Sequence, residues 1–182
     1  MKIEAIQFPE PEYQVSVALH RIERWVQDNC FNREFVVDLD PDYQRAHVWT
    51  AEQRRAYLEY VLRGGKVSNR IVFTCADGRP SISKLWSLTD GKQRLETVRA
   101  FLRDEIRVFS SSALSTEGYL ASEIEDLRAI GLRFDICVVQ VGSRAEQLAL
   151  YLALNTAGTP HSAEEIARVQ AMLDAELANR KL

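Results

Sequence analysis

Apolar residues recur along this chain at the two spacings that distinguish strands from helices. Four short runs rich in β-branched and aromatic residues predict strands, at residues 35–39, 71–75, 84–88 and 134–141. Helices are predicted between and after them. An apolar pattern running toward Cys30 predicts the first helix, through Val15, Val17, Leu19, Ile22, Trp25 and Val26.

Three pairs of polar residues have the spacing of a helix-capping box. They are Thr50 with Gln53, Ser143 with Glu146, and Ser162 with Glu165. The order of strands and helices, with no internal repeat, predicts an α+β fold. At 182 residues the chain is expected to form one domain, residues 1–182, with a sizeable core.

Residues 87–102 contain an unusually abrupt change from strand to helix. The strand pattern stops at Asp90 and Gly91, and an amphipathic helix starts at once. Glycine allows a tight turn, and the first N–H groups of a helix together with a nearby arginine, Arg94, suit a phosphate group. The alternative is a purely structural turn, in which Asp90 caps the helix and pairs with Arg94.

A helical wheel separates the side chains that follow this turn. One face carries the apolar stripe and the other carries Lys92, Glu96, Arg99 and Arg103. Because helical side chains lean toward the N-terminus, Arg94 should point back over the turn. The same wheel predicts that Lys92 points into solvent and takes no part in the site.

A net charge of −3 argues against a protein that coats nucleic acid through bulk electrostatics. Any DNA contact should be local. One basic cluster is a candidate for such a DNA contact, and its alternative interpretation is a solvated helix rim. The cluster consists of Arg54, Arg55, Arg63, Lys66 and Arg70. No apolar run approaches the roughly 20 residues that cross a bilayer, so we expect a cytoplasmic protein without membrane contact.

The three cysteines and three histidines are too scattered to predict a zinc site or a disulfide framework. Buried thiols are the simpler interpretation of Cys30, Cys75 and Cys137. A divalent cation held by carboxylates is left open.

Polar residues collect in three loops, which can meet over one end of a sheet. These loops are residues 43–45, 90–94 and 155–158. Arg45 and Arg94 would then offer two guanidinium groups to a polyphosphate. For Tyr43 and Trp49 the alternative to ligand binding is packing in the core, and we favour packing for Trp49. For Asn155 the alternative, alone or alongside ligand contact, is to end its helix as a left-handed C-cap.

The three motifs, taken in order, resemble the N-terminal domain of GmrSD-type modification-dependent restriction proteins. They are Pro41-Asp42-Tyr43-Gln44-Arg45 with Trp49, Asp90-Gly91-Lys92-Gln93-Arg94, and residues 151–159 around Asn155. The resemblance runs from about residue 36 to residue 173. It implies a ParB/sulfiredoxin-like fold, a small mixed sheet flanked by helices, with a nucleoside triphosphate and Mg²⁺ bound near the Asp-Gly-x-Gln-Arg turn.

The resemblance also implies roles for individual residues. Tyr43, Gln44, Arg45, Gly91, Arg94 and Asn155 would bind the nucleotide and its phosphates, and Asp90, Gln93 and Arg94 would be catalytic. Asp90 would hold Mg²⁺ or orient water, and Gln93 would position the attacking water or the base. The sequence departs from the family at Lys92, usually Gln, at residues 66–69, and at His161.

Family members carry a C-terminal HNH-like nuclease domain, which we do not find in these 182 residues, so we expect no DNA cleavage by that route. Two hypotheses follow from the resemblance. The first is a Mg²⁺-dependent nucleoside triphosphatase related to restriction and antiphage systems, encoded by a phage or mobile element. The second is a non-catalytic, nucleotide-switched module that contacts DNA, a separate nuclease or another restriction-system protein. A ParB-like nuclease ranks third, because one carboxylate makes a poor two-metal site.

Overall fold

The computed structural model describes residues 10–30, 36–46, 48–65, 69–76, 85–110, 117–125, 127, 131–155 and 162–179. The strands are β1 Tyr13–Ala18, β2 Val36–Asp38, β3 Arg70–Cys75, β4 Leu85–Asp90 and β5 Arg133–Gln140. The helices are α1 Ile22–Cys30, α2 Ala51–Leu62, α3 Lys92–Leu102, α4 Arg144–Asn155 and α5 Ala163–Asn179. Short 3-10 turns lie at Leu19–Arg21 and Ala121–Glu123.

The five strands form one mixed sheet in the order β1-β5-β3-β4-β2. β1 with β5 and β3 with β4 are antiparallel, whereas β5 with β3 and β4 with β2 are parallel. The sheet is curled, because the Tyr13 ring of β1 lies 5.5 Å from the Trp86 ring of β4 although two strands separate them. The predicted α+β class, with a small mixed sheet flanked by helices, is confirmed.

The first predicted helix is wrong over its N-terminal half. Val15 and Val17 belong to β1, where they pair with Ile136 and Phe134 of β5, and the α-helix begins only at Ile22. Val15, Val17 and Leu19 alternate with polar or small residues, which is the period of a strand. The local alternation was therefore a strand signal, and the partner strand that completes it lies more than a hundred residues away.

The helix starts predicted from Thr50, Ser143 and Ser162 are confirmed, although at Ser143 the Glu146 carboxylate accepts the Gly142 N–H in place of the Ser143 N–H. At α2 the Gln53 N–H donates to Thr50 Oγ1 over 3.3 Å, and the Thr50 N–H donates to Gln53 Oε1 over 2.9 Å. Ser162 and Glu165 form the same reciprocal pair at α5, at 3.1 and 3.2 Å. These local hydrogen bonds depend on residues three apart, which is why the sequence predicts them well.

Three apolar clusters pack around the site, the smallest of which is formed by Val72, Val139, Val141 and Leu150 with Leu154 against it. The largest joins the sheet to α1, α2 and α3, with Phe73, Leu88, Leu95 and Phe101 at its centre. The second is formed by Tyr43, Leu148, Tyr151, Leu152 and Val169, with Ile166, Met172 and Leu173 packed against it. The apolar face of α5, which could have docked on the domain or on another chain, therefore docks on α4.

The cysteines whose side chains the structure describes fit the simple interpretation, since Cys75 and Cys137 are buried and form no disulfide within the described residues. The Cys30 side chain lies outside the described part of the chain. None of the described helices combines the length and the apolar character needed to cross a membrane.

Candidate functional site

A cavity of about 190 Å³ lies where β4 ends and α3 begins. Its walls come from the connection between β2 and α2, from the β4–α3 turn and from the end of α4. The lining residues are Gln44, Arg45, Trp49, Thr89, Asp90, Gly91, Lys92, Gln93, Arg94, Leu154 and Asn155. The three loops that were predicted to meet do meet at this cavity. Asn155 represents the third loop, because residues 156–158 lie outside the described residues.

The turn into α3 depends on Gly91, which precedes the helix with φ of +96°. A Cβ at this position would lie 2.6 Å from Ile71 Cδ1 and 3.3 Å from the Arg70 carbonyl oxygen. Within the described residues no side chain caps α3, and its first turn contains no acidic residue. Its first N–H groups therefore face the cavity without a capping side chain, which is the arrangement that attracts anions.

Arg94 points back over this turn, as predicted. Its Nη2 donates to Asp90 Oδ2 over 2.7 Å and to the Arg70 carbonyl over 3.0 Å. The Asp90–Arg94 pair of the purely structural alternative is therefore present, whereas the cap by Asp90 is not, since Gly91 is the N-cap residue. The Arg94 Nε is buried and has no hydrogen-bond partner within the described residues.

Arg45 reaches the cavity from the opposite wall. Only 11% of its side chain is exposed, and its Nη1 lies 3.6 Å from Glu165 Oε2 of α5. That separation is an ion pair but is longer than a hydrogen bond. Arg45 and Arg94 thus bring two guanidinium groups to one cavity.

The prediction that Lys92 points into solvent is wrong. Only 6% of its side chain is exposed, and its Nζ donates to the Asp40 carboxylate and, over 2.9 Å, to the Arg45 carbonyl. A helical wheel treats the helix in isolation, but here the connection between β2 and α2 passes over the first turn of α3. Lys92 therefore adds a third cation to the cavity, beside Arg45 and Arg94. Its hydrogen bond to the Arg45 carbonyl also holds the backbone of that residue.

Gln93 holds the same connection through its side-chain amide. Its Oε1 accepts hydrogen bonds from the Val48 N–H at 2.9 Å and the Trp49 N–H at 3.1 Å, and its Nε2 donates to the Ala46 carbonyl at 3.2 Å. An amide engaged in this way has little capacity left to orient a water molecule. The geometry therefore makes Gln93 a positioning residue, where the resemblance implied a catalytic one.

Gln44 and Tyr43 support the end of β4 from the same connection. Gln44 lines the cavity while its Nε2 donates to the carbonyls of Leu88 at 2.9 Å and Thr89 at 3.1 Å. Tyr43 is fully buried, with its hydroxyl 3.3 Å from both the Leu88 carbonyl and Thr89 Oγ1. Burial raises the pKa of Tyr43 to about 12. Its ring has no surface for a ligand, so its predicted binding role is corrected to support of the turn.

Asn155 and Trp49 both combine a structural contact with a place in the cavity wall. Asn155 is the last residue of α4, and its Nδ2 donates to the Tyr151 carbonyl over 2.8 Å. It satisfies a carbonyl at the helix end but lacks the positive φ of a left-handed cap. Trp49 packs on Tyr57 with 5.2 Å between ring centroids, as favoured from the sequence.

A hydrogen-bonded network that the sequence did not indicate lies beneath the cavity. Gln147 Nε2 donates to Thr74 Oγ1 over 2.7 Å, and Thr74 Oγ1 lies 2.8 Å from Thr89 Oγ1. Arg144 donates to Gln147 Oε1 over 2.8 Å and covers the Tyr43 ring at 4.9 Å. The network ties α4 to β3 and β4, and so fixes the strand end that supports the site.

Helix α5 holds the loop that carries Arg45, which is a second contribution missed from the sequence. Arg168 donates to the backbone carbonyls of Asp42 at 2.8 Å, Tyr43 at 3.0 Å and Gln44 at 3.3 Å. One local signal was available, because Glu165 and Arg168 lie one helical turn apart beside the apolar stripe of α5. Nothing in that pattern indicates which loop they would contact.

The residues present suit a Mg²⁺ ion only if it arrives with its own oxygen ligands. The described residues contain no group of three or more His, Cys, Asp or Glu side chains that could hold a metal ion. Asp90 faces the cavity, but one of its carboxylate oxygens is bonded to Arg94. Mg²⁺ commonly binds through one carboxylate together with substrate phosphates, and that is the arrangement Asp90 could support.

Three members of the basic cluster predicted as a local DNA contact have partners among the described residues. Arg55 donates to Ser110 Oγ over 3.2 Å, and Arg63 covers the Phe109 ring at 4.9 Å. Arg70 lies on β3, where its Nε is 3.2 Å from Cys137 Sγ. Lys66 is outside the described residues. These contacts leave both interpretations of the cluster, a local DNA contact and a helix rim, as predictions.

Comparison with known proteins gives one result. Residues 25–172 match the family described as the GmrSD restriction endonuclease, N-terminal domain, and this range includes all the motif residues discussed above. No curated protein and no solved structure matches the chain. The match covers well over half of the 182 residues and relates the protein to restriction endonuclease systems of antiphage defence. The chain belongs to the family of GmrSD restriction endonuclease N-terminal domains.

Proposed function

We propose that this domain binds a nucleoside triphosphate, with the phosphates in the cavity between β4, α3 and the loop that carries Arg45. One observation carries the proposal: an uncapped helix N-terminus and the side chains of Arg45, Lys92 and Arg94 face one cavity. A helix N-terminus attracts phosphate through its N–H groups and dipole, and guanidinium groups bind phosphate oxygens in pairs. Each feature is common alone, whereas their convergence on one cavity favours a polyanion.

The charge balance supports a ligand with several negative charges. Each cation is paired with one carboxylate, Arg45 with Glu165, Lys92 with Asp40, and Arg94 with Asp90. A single weak anion gains little by replacing such partners. A triphosphate contacts more than one cation at once, so it can offset the loss of these ion pairs.

Hydrolysis of the bound triphosphate is the second candidate, and the position of Asp90 favours it. The Asp90 carboxylate faces the same cavity as Arg94. When bound, Mg²⁺ would neutralise phosphate charge, and Asp90 would supply one of its oxygen ligands. Arg94 would stabilise negative charge on the transferred phosphoryl group. Because Gln93 is engaged by backbone groups, this proposal assigns it no chemical step.

Binding and hydrolysis can be tested together on the purified full chain. Calorimetric titration with ATP, GTP, CTP and UTP, with and without Mg²⁺, should give a measurable Kd for at least one of them. Arg94→Gln and Arg45→Gln should each weaken that Kd by about tenfold or more, the value of a charged hydrogen bond. Arg24→Gln is the matched control, because the Arg24 side chain is 83% exposed and pairs only along its own helix.

Phosphate release distinguishes the two candidates. If wild type releases phosphate and Asp90→Asn binds but does not, hydrolysis is supported. If wild type binds without release, the domain acts as a nucleotide-occupied module, which we propose would regulate contact with DNA or with a separate nuclease of the restriction system. Absence of binding to all four nucleotides, or unchanged binding by both arginine variants, overturns the proposal.

A further inference from the structure

Among the described residues, Arg45 is the cation of the cavity with the longest ion pair. It is 11% exposed, and its ion pair with Glu165 is 3.6 Å long, beyond hydrogen-bond distance. Lys92 and Arg94, by contrast, each make hydrogen bonds to both a carboxylate and a backbone carbonyl. A nearly buried guanidinium whose charged partner among the described residues is this distant gains substantially from an anion that approaches within hydrogen-bond distance.

Glu165 is fixed where it stands by contacts that do not involve Arg45. Its Oε2 accepts the Ser162 N–H over 3.1 Å, and its own N–H donates to Ser162 Oγ over 3.2 Å. The helix cap therefore holds the carboxylate, and it does so outside the set of residues that line the cavity. The ion pair with Arg45 is a second role of the same oxygen.

The backbone of Arg45 is fixed as well. Lys92 holds the Arg45 carbonyl, and Arg168 holds the carbonyls of the three residues before it, through Gln44. Because both backbones are held, the Arg45 guanidinium can pair with the Glu165 carboxylate, its charged partner among the described residues, or with a phosphate in the cavity. One group cannot be fully bonded to both, so the two interactions compete.

We propose that Glu165 is an internal competitor of the phosphate ligand for Arg45, and so a residue that sets affinity and favours polyphosphates over weaker anions. The inference rests on the proposed phosphate-binding function. Ligand binding loosens the contact between Arg45 and the first turn of α5, while Arg168 and the apolar face keep that helix docked. By reciprocity, any partner that draws α5 away from Arg45 tightens ligand binding.

Glu165→Gln isolates the charge, because a glutamine oxygen still accepts the Ser162 N–H in a capping box. We expect this variant to bind about three- to fivefold more tightly than wild type, the value of a partly exposed ion pair. The probes are ATP, GTP, CTP, UTP and inorganic tripolyphosphate, titrated into the full chain by calorimetry. The last probe separates a free polyphosphate from a nucleotide as the source of the phosphate groups.

Two further variants make the result specific to the ion pair. Glu164→Gln removes the same charge from the neighbouring exposed position in the first turn of α5 and should leave the Kd unchanged. In an Arg45→Gln background, Glu165→Gln should have no effect, which gives a coupling that a double-mutant cycle measures. The inference is overturned if Glu165→Gln binds no more tightly than wild type, or if its effect persists without Arg45. If wild type binds none of the five probes, the proposed function fails with it.

Discussion

Replacing Gln93 with methionine should destabilise the folded protein rather than remove only a chemical step. The Gln93 amide makes three hydrogen bonds to backbone groups of Ala46, Val48 and Trp49, at 3.2, 2.9 and 3.1 Å. The side chain is 9% exposed, so water does not readily take its place. Methionine keeps the length and the helix propensity of glutamine but offers none of these hydrogen bonds.

The magnitude follows from the hydrogen-bond count. Each intramolecular hydrogen bond contributes about 0.5–1.5 kcal/mol to the free energy of unfolding, so three give about 3 kcal/mol. Partial relaxation of the loop lowers the expected loss to about 2–3 kcal/mol. A domain of this kind unfolds with about 5–15 kcal/mol, so the variant should still fold.

Urea denaturation followed by tryptophan fluorescence measures this loss, because Trp49 lies in the affected loop. Gln93→Met should lower the midpoint with an unchanged slope, which indicates a change of stability alone. Nucleotide affinity should fall too, because the same loop carries Arg45. Gln170→Met is the control, since Gln170 is exposed and bonds only Asp174 of its own helix, at 3.0 Å.

Two outcomes would refute the reasoning about Gln93. One is an unchanged midpoint, which would mean that the three hydrogen bonds contribute nothing. The other is a variant of wild-type stability and affinity that has lost only triphosphate hydrolysis. That result would restore the catalytic role implied by the family resemblance.

Three more predictions follow from single positions. Gly91→Ala should destabilise by about 1–2 kcal/mol in the same assay, because its φ of +96° is unfavourable for alanine and the added Cβ meets Ile71. Arg99→Leu should cost about 1 kcal/mol at pH 7, because Arg99 makes hydrogen bonds of 2.7 and 3.1 Å to Glu23 and so lowers the pKa of that carboxyl. This difference in unfolding free energy between wild type and Arg99→Leu should shrink at acid pH. The loss should begin near pH 4.5, the ordinary pKa of a glutamate, and continue as the pH falls through the lowered pKa of Glu23 in the folded state. Tyr43 has its pKa raised to about 12 by burial, so folding favours the neutral phenol, and wild type and Tyr43→Phe should differ in absorbance at 295 nm only above about pH 11.

The first two of these predictions have matched control variants, and the third has a clear contrary result. Gly64 has φ of +88° and nothing within 4 Å of an added Cβ, so Gly64→Ala measures the backbone strain without the contact. Arg24→Leu removes an exposed arginine and should not reproduce the pH dependence of Arg99→Leu. A Tyr43 phenolate that forms near pH 10 in the folded protein would show that the ring is less buried than described.

Local rules predicted much of the fold. The capping boxes at Thr50 and Ser162, the helix start after Gly91 and the β-branched strand within β5 each depend on residues a few positions apart. The prediction of the first helix was partly wrong because the partner of its N-terminal half is distant in the sequence. Residues 13–18 are a strand because β5 lies beside them, and no window around Val15 contains β5.

In the candidate site, too, short-range contacts were predicted and long-range contacts were not. The sequence placed Arg94 over the Gly91 turn, because both positions lie within one helical turn. It misjudged Lys92 and Gln93, whose partners are 44 to 52 residues away in the chain. Arg168 was missed altogether, since its contacts span 124 to 126 residues.

The sequence by itself determined the α+β class, the family and the turn at Gly91, because each depends on short-range pattern or on motifs read in order. Only the tertiary structure decided which polar side chains face the cavity and which support it. Tyr43 became a buried support, Lys92 a cavity residue and Glu165 the ion-pair partner of Arg45. The reason is physical: hydrogen bonds and ion pairs select partners by position in space, and the packing of α5 and of the loop between β2 and α2 fixes those positions.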